Sequence, residues 1–523
     1  MASTIIPVVQ PVPRPVGTAD YEAARLNVLQ NFAVAVPKEL LLPNHVIQNP
    51  PRNVTSLPRQ CGLLSEAELD ITENYDATAL VRAIASKALS SVSVVTAFAK
   101  RAMIAHQLTC CLTEWFMDEA IARAKELDDH LASTGQTVGP LHGVPISIKA
   151  HIPIAGHWGD LGYLDTLTKD TKDSQMVAIL RSAGAVFYCK TNQPQSLMHL
   201  ESTSFYGRTL NPHNIKLSAG GSTGGEAALI ALRGSVLGVG TDIGGSVRGP
   251  SAFCGIYGFK ATSYSLPMKG AKPWIEDPRV IPIPWTGTRS ILAASSPQRL
   301  RIGLMMHDNV IIPQPPVTRA LKWAKSRLED AGFEVKPYKP YNAAQIIENI
   351  RKAYWPASTK YTDAHFTLAG EPKHPLTEWI QREAAPEELS VGDVLQQRLL
   401  RDDVRSEFSL DWEKQGVDVI LCPAFVGSAS SHDTAWYWNY TAMWNYLDCP
   451  GVVIPVPIKS LKRGEEEYES RDALGKECEQ VRRLWEEGDF EDAPINLQLV
   501  GRRYHDNELF GVLAALKDTL QLP

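Results

Sequence analysis

Long hydrophobic runs are missing from this sequence. None approaches the roughly 18 apolar residues that a membrane-crossing helix needs, so no membrane span is expected. A basic surplus is missing too: 52 Lys and Arg stand against 58 Asp and Glu, a formal net charge of −6. Such a chain has little with which to neutralise a phosphate backbone, so nucleic acid is not an expected partner. Cysteine is sparse and unorganised. The eight thiols form no CxxC pair and have no histidine at zinc-ligand spacing. That argues against a metal site and for buried, reduced thiols in a cytoplasmic protein. The opening MASTIIPVVQPVPRPVGTADY has four prolines and lacks the continuous apolar core of a signal peptide. Residues 1–60 are expected to form an extended arm. No Gly/Ser-rich linker or internal repeat divides the rest of the chain, so 61–523 is expected to be a single domain.

What is present is a steady alternation of strand and helix patterns. Ala120, Ile121, Ala124, Leu127 and Leu131 fall at helical spacing, which predicts an amphipathic helix over Phe116–Leu131. The run VPISI predicts a buried strand over Val144–Ile148 that ends at Lys149. Met176–Ala183 reads as a helix stopped by Gly184, and Val186–Lys190 as the next strand. Glu226–Arg233 reads as a helix closed by Gly234, followed by a strand at Val236–Gly240. Val317, Leu321, Ala324 and Leu328 share one helix face, and Val419–Cys422, Val452–Val456 and Ile495–Val500 are apolar strands. Such alternation indicates an α/β sandwich around a mostly buried sheet. The charged stretch Lys459–Glu491 is expected to be a solvated helical insertion or arm.

Glycine is concentrated in one place. Twelve of the 39 residues from Gly220 to Gly258 are glycine, against 36 in all 523. Glycine costs about 0.5–1 kcal/mol inside regular structure, so this density marks a backbone that turns tightly or approaches something closely. Three functional readings compete with a plain structural turn. A dinucleotide fingerprint starting at Gly238 fails because its sixth position is Ile243. A nucleophile elbow, GxSxG, matches Gly220–Gly224, but the preceding IKLSA is a poor strand and no HGGG-type motif accompanies it. The third reading joins Lys149, Ser222 and Ser246. A lysine at the end of an apolar strand is more often a snorkelling surface residue. If it is buried instead, desolvation disfavours its charged form and makes it a usable base for a serine.

The runs GGSTGGEAALIA, LGVGTDIGGSVRGPSAFCGIYGFKAT and GPLHGVPISIK resemble the signature of the amidase signature family, in particular its fungal acetamidases and general amidases. The resemblance extends from GLLSEAELDITE at Gly62 to INLQLVGRRYHDNELF near the C-terminus, with a signature core over about 139–262. It implies a three-layer sandwich in which helices cover both faces of a mixed central β-sheet. It also implies an amidohydrolase that converts a carboxamide to carboxylate and ammonia through a serine acyl-enzyme. Carried across position by position, it makes Ser246 the nucleophile, Ser222 the bridging serine across a cis peptide bond, and Lys149 the base. Ile243, Gly244, Gly245 and Ser246 would donate to the oxyanion, Leu197 would line the substrate site, and Asp242 and Arg248 would brace the loop. No metal or organic cofactor is implied. The implied partner is a small amide, and the resemblance allows a homodimer.

The sequence departs from the family at three places. GGSTGG replaces the commoner GGSSGG, Ala150 follows the lysine where many relatives are acidic, and the stretch between Thr262 and Val280 is shortened near 270. The shortening keeps open a catalytically inactive, amidase-like binding protein. A tailoring amidase of secondary metabolism, an α/β-hydrolase esterase using Ser222 with a distant histidine, and an ammonia-channelling amidotransferase subunit also stay open. Tyr354–Pro356 and Trp436–Tyr440 are expected either to wall the substrate pocket or to belong to the core.

Overall fold

The computed structural model describes residues 5–263, 265–267, 269–270, 300–469 and 472–523. Most of the shortened stretch near 270 lies outside the described residues. The chain divides into two compact units.

The first unit comprises the residues up to Thr241, with 267–270 and 365–374 added. Its mixed sheet contains β1 (Leu112–Trp115), β2 (Pro145–Lys149) and β3 (Val186–Thr191). A hairpin strand, β4 (Asn214–Ser218), lies outside that sheet, and β5 (Gly238–Val239) closes it in the order β1–β3–β2–β5. β2 runs parallel to both its neighbours, and Lys149 pairs with Thr191. Side chains alternate between the faces of a strand, and here the alternation separates two environments. Ile146 and Ile148 enter an apolar cluster with Ile152, Val177 and Phe187. Ser147 and Lys149 turn the other way and are fully buried among polar groups. Each buried aliphatic side chain contributes about 1.5–3 kcal/mol, which anchors the strand that carries the lysine.

The helices of this unit largely follow the sequence pattern. α1 (Ala19–Val34) interrupts the expected arm: among its described residues, 5–18 lack helix or strand before that helix begins. The first run of prolines ends at Pro15, Thr18 then accepts a hydrogen bond from the Tyr21 amide, and good helix formers come next. α2 (Ser91–Thr109) is almost entirely buried, and its first amides donate to Asp128 of α3 (Met117–Thr134). α4 (Gln175–Ser182) ends before Gly184, whose φ is +93°. α5 (Gly224–Ala231) is closed differently from expectation. Arg233 takes the left-handed turn, with φ +59°, while Gly234 is needed for space, because a Cβ there would lie 2.5 Å from Leu229. The IKLSA segment is also a correction: buried Ile215 and Leu217 flank exposed Lys216, and this period of two makes it strand β4.

The second unit holds α6 (Arg248–Cys254), β6 (Gly258–Lys260), β7 (Arg301–Leu304), α7 (Pro315–Asp330) and β8 (Glu334–Pro337). It continues with β9 (Val419–Pro423), α8 (Asn439–Tyr446), β10 (Gly451–Lys459), α9 (Lys476–Glu487) and β11 (Pro494–Val500). The six strands are ordered β6–β10–β11–β9–β7–β8, antiparallel up to β9 and parallel beyond it. Val317, Leu321, Ala324 and Leu328 of α7 pack on Ile302, Leu421, Ile454 and Leu497 of this sheet. The stretch expected to be solvated is so only in part. Within α9, Cys478, Val481, Arg482 and Trp485 form a buried face at helical spacing.

Candidate active site

Lys149 is buried, with none of its surface exposed, and does not snorkel. Its Nζ donates to Ser222 Oγ at 2.6 Å, to Thr223 Oγ1 at 3.1 Å and to Thr241 Oγ1 at 3.4 Å. Three hydroxyls from two separate turns thus converge on one amine. Thr223, the residue that departs from the family motif, supplies one of them.

The turn bearing Ser222 explains why this segment is rich in glycine. The Gly221–Ser222 peptide is cis. A Cβ on Gly221 would lie 2.5 Å from the His199 carbonyl and 2.7 Å from the Glu201 nitrogen, so only glycine fits. Ser202 secures the turn from below. Its Oγ donates to the Gly220 carbonyl at 3.1 Å and accepts from the Gly224 amide at 2.9 Å. The hydroxyl of Ser222 is therefore held on Lys149.

Beneath the lysine lies a buried acid that sequence reasoning passed over. Glu226 of α5 is 3% exposed. It bonds Ser147 Oγ and accepts from Thr191 Oγ1 at 3.0 Å, and these two residues flank Lys149 on β2 and β3. Burial pushes its carboxyl up to about 8, although the two hydroxyls and Lys149 pull the other way. Hydrogen-bond counting agrees with a neutral acid. Ser147 bonds Ser235 at 2.8 Å, and Ser235 donates to the Leu237 carbonyl at 3.0 Å. Each hydroxyl has one proton to give, so the whole chain is satisfied only if Glu226 donates into Ser147.

This makes stability depend on pH. The folded carboxyl holds its proton up to about 8, against an ordinary value of 4.5. The folded state therefore binds the extra proton between those pH values, and stability falls as pH rises through that window. Glu226→Gln removes this dependence. The stability of the variant relative to the parent is expected to rise between pH 5 and pH 9, by on the order of a few kcal/mol. Thermal melts of both proteins across that range check it.

In the second unit, the segment after Thr241 carries Ile243, Gly244, Gly245 and Ser246 and is folded around Asp242. That carboxylate accepts from the backbone amides of Gly245, Val247 and Arg248 at 2.8, 3.2 and 3.2 Å. It also takes Nε and Nη2 of Arg248, each at 3.0 Å, and Nδ2 of Asn445 at 2.9 Å. Burial pushes this carboxyl up, but Arg248 outweighs it and holds the group well below the usual carboxylate range. Arg248 is itself fully buried and donates to Gln498 at 2.8 Å. Both residues brace the loop, as the resemblance implied.

Two side chains fix the carbonyls of the same loop. Tyr354 donates to the Ile243 carbonyl at 3.0 Å, and Thr441 to the Gly244 carbonyl at 2.8 Å. A Cβ on Gly244 would strike Tyr354, and one on Gly245, whose φ is +124°, would strike Thr441. Tyr354 thus acts on the loop itself rather than as a bare pocket wall. The Gly245 amide is already committed to Asp242. Among the described residues, the amides of Ile243, Gly244 and Ser246 have no hydrogen-bond partner, and Ser246 is partly exposed.

Leu197 belongs to the first unit, in a turn after β3 where both Ser196 and Leu197 have left-handed φ values, 58° and 60°. Its neighbour Gln195 fastens the turn. Nε2 donates to Glu371 at 2.7 Å and to the Pro372 carbonyl at 2.9 Å, while Oε1 accepts from the His374 amide at 3.1 Å. The structure therefore unites Lys149 and Ser222, sets Leu197 in a separate turn of the same unit, and gathers Ile243, Gly244, Gly245 and Ser246 in one loop of the second. Sequence reasoning missed Thr241, Glu226 and the Gln195 clamp. For Glu226 the available signal was a lone acid within the apolar run GGEAALIA.

No helix among the described residues is long and apolar enough to cross a membrane. The sequence profile of the Amidase family matches residues 93–281 and 268–510. A Schizosaccharomyces pombe chain, amidase C550.07 by name, is 40% identical over 498 residues, covering 88% of this chain and 92% of its own. The acetamidase of Emericella nidulans is 34% identical over 504 residues, with coverage of 88% and 91%. Among solved structures, a fatty acid amide hydrolase superposes with a TM-score of 0.85 at 31% identity, covering 96% of this chain and 94% of its own.

Proposed function

The chain belongs to the amidase family, and we propose that within this hydrolase Ser246 is the acylated nucleophile, Ser222 the relay and Lys149 the base. The observation that carries this reading is the buried amine of Lys149 held 2.6 Å from Ser222 Oγ. Ser246 Oγ attacks the amide carbon and gives its proton to Ser222, whose own proton passes to Lys149. The amides of Ile243, Gly244 and Ser246 are the donors best disposed to receive the developing oxyanion, since the Gly245 amide is occupied. The C–N bond then breaks, and the proton returns along the relay to the leaving nitrogen, releasing ammonia. Water attacks the acyl-enzyme by the same path, and the carboxylate leaves as Ser246 recovers its proton.

The substrate in this reading is a small organic amide hydrolysed in the cytoplasm, and the chain can act as a homodimer. The acetamidase name among its relatives supports a short aliphatic amide, and the fatty acid amide hydrolase likeness a longer acyl chain. Both differ from a shortened, inactive binding protein in one measurement. Purified full-length protein incubated with acetamide, benzamide and a fatty amide is expected to release ammonia and carboxylate in equal amounts from at least one of them. Release from none of the three would return the inactive reading.

A further inference from the structure

Lys149 has a second hydrogen-bonded neighbour chain, running away from Ser222. Thr241 Oγ1, which receives the Lys149 Nζ at 3.4 Å, lies 3.3 Å from Nε2 of His151. His151 is 3% exposed, and its Nδ1 lies 2.8 Å from Oε1 of Gln193. Gln193 is oriented in turn. Its Nε2 donates to the Asp160 carbonyl at 2.9 Å and to Asp160 Oδ1 at 3.1 Å, so Oε1 is the end that faces the ring. An amide oxygen accepts and cannot donate, so Nδ1 of His151 carries the proton. In the neutral ring, Nε2 is then a bare acceptor and takes the Thr241 hydroxyl proton. Charging the ring puts a proton on Nε2 as well. Nε2 then donates to Thr241 Oγ1, and the threonine hydroxyl must turn its own proton toward the amine of Lys149.

We propose that His151 is a positioning residue for Lys149, acting through Thr241. The charge on its ring sets the direction of the Thr241 hydroxyl and thereby whether the lysine lone pair is open to Ser222. With a neutral ring, Thr241 accepts from Lys149 and the lone pair faces the relay. With a charged ring, Thr241 donates into the lone pair and the base is blocked, without any covalent bond being made or broken. The charged groups that these contacts bring to His151 are Lys149, at the end of β2 just before the turn that holds His151, and Asp160, which acts through Gln193. Lys190, on the neighbouring β3, is paired with Asp170 at 3.4 Å, and Asp242, next in the chain after Thr241, is paired with Arg248. His151 stands two residues after Lys149, beside the Ala150 that replaces the acidic residue of many relatives.

The inference rests on the reading of Lys149 as the base, and the two fail separately. The experiment is the pH dependence of kcat/KM for the amide the enzyme turns over best, in wild type and in His151→Gln. Glutamine keeps an acceptor toward Thr241 but cannot take a charge. The wild-type acid limb is expected to be steeper than a single-proton limb. In the variant it should fall to single-proton steepness and move to lower pH, by about one unit. Coincident limbs would overturn the role of His151. Should His151→Gln fail to fold, Thr241→Ser and Thr241→Val carry the test, the first keeping the wild-type limb and the second acquiring the shallower one. A valine variant with the wild-type limb also overturns it. Turnover retained by Lys149→Met sinks the base itself, whereas coincident limbs beside an inactive Lys149→Met enzyme sink only the role of His151.

Discussion

Lys149→Met is expected to lower kcat/KM for amide hydrolysis by at least about a thousandfold while leaving a folded protein. Methionine has similar length, suits an apolar site and cannot accept a proton, so it removes the base without opening a large cavity. Ser222 and Thr223 lose their bond to the amine, whereas Thr241 keeps its contact with His151, and a buried hydroxyl left unsatisfied costs about 1–3 kcal/mol. A lowered melting temperature therefore accompanies the kinetic loss. The decisive comparison is between melting temperature and turnover. A variant that melts lower but turns over normally would mean that Lys149 only holds the Ser222 turn.

Ser246→Ala is expected to have the larger kinetic effect, on the order of 10⁴–10⁶ in kcat, with little change in stability. Ser246 is partly exposed, and among the described residues its hydroxyl has no hydrogen-bond partner to forfeit. Intact-mass measurement during turnover of a slow ester adds a qualitative readout. The parent should gain the acyl mass, and Ser246→Ala should not. An acyl adduct that persists in Ser246→Ala and disappears in Ser222→Ala would exchange the two serines and revive the nucleophile-elbow reading of Gly220–Gly224.

The α/β class was legible because its carriers are local. The apolar run VPISI placed Lys149 at the end of a strand, and the structure adds that it lies on the face opposite Ile146 and Ile148. The helical spacing from Ala120 to Leu131 fixed another element to within three residues of its ends. The resemblance supplied the rest of the architecture, and the fatty acid amide hydrolase superposition bears it out. Where the reading failed, the reason was again local. Proline density near the N-terminus masked the helix that starts once the prolines stop, and Gly234 drew the cap away from Arg233.

The site was legible where motifs carry it and not where contacts cross long stretches of sequence. Gln195 meets Glu371 across 176 residues, and Thr241 meets His151 across 90, with no periodicity to announce either pair. Glu226 is a different case. Its helix was read two residues late at each end, and nothing in the reading singled out the acid at its start, which burial keeps neutral.

The donors gathered around Asp242 bear on how this enzyme can change. A carboxylate that holds three main-chain amides and a guanidinium fixes the course of its loop through the protein's own groups. Little reorganisation then remains for the moment of reaction. Mutations that reshape the walls around a substrate can accumulate without disturbing the loop that carries Ser246, so new acyl groups can be recruited while that loop stays fixed.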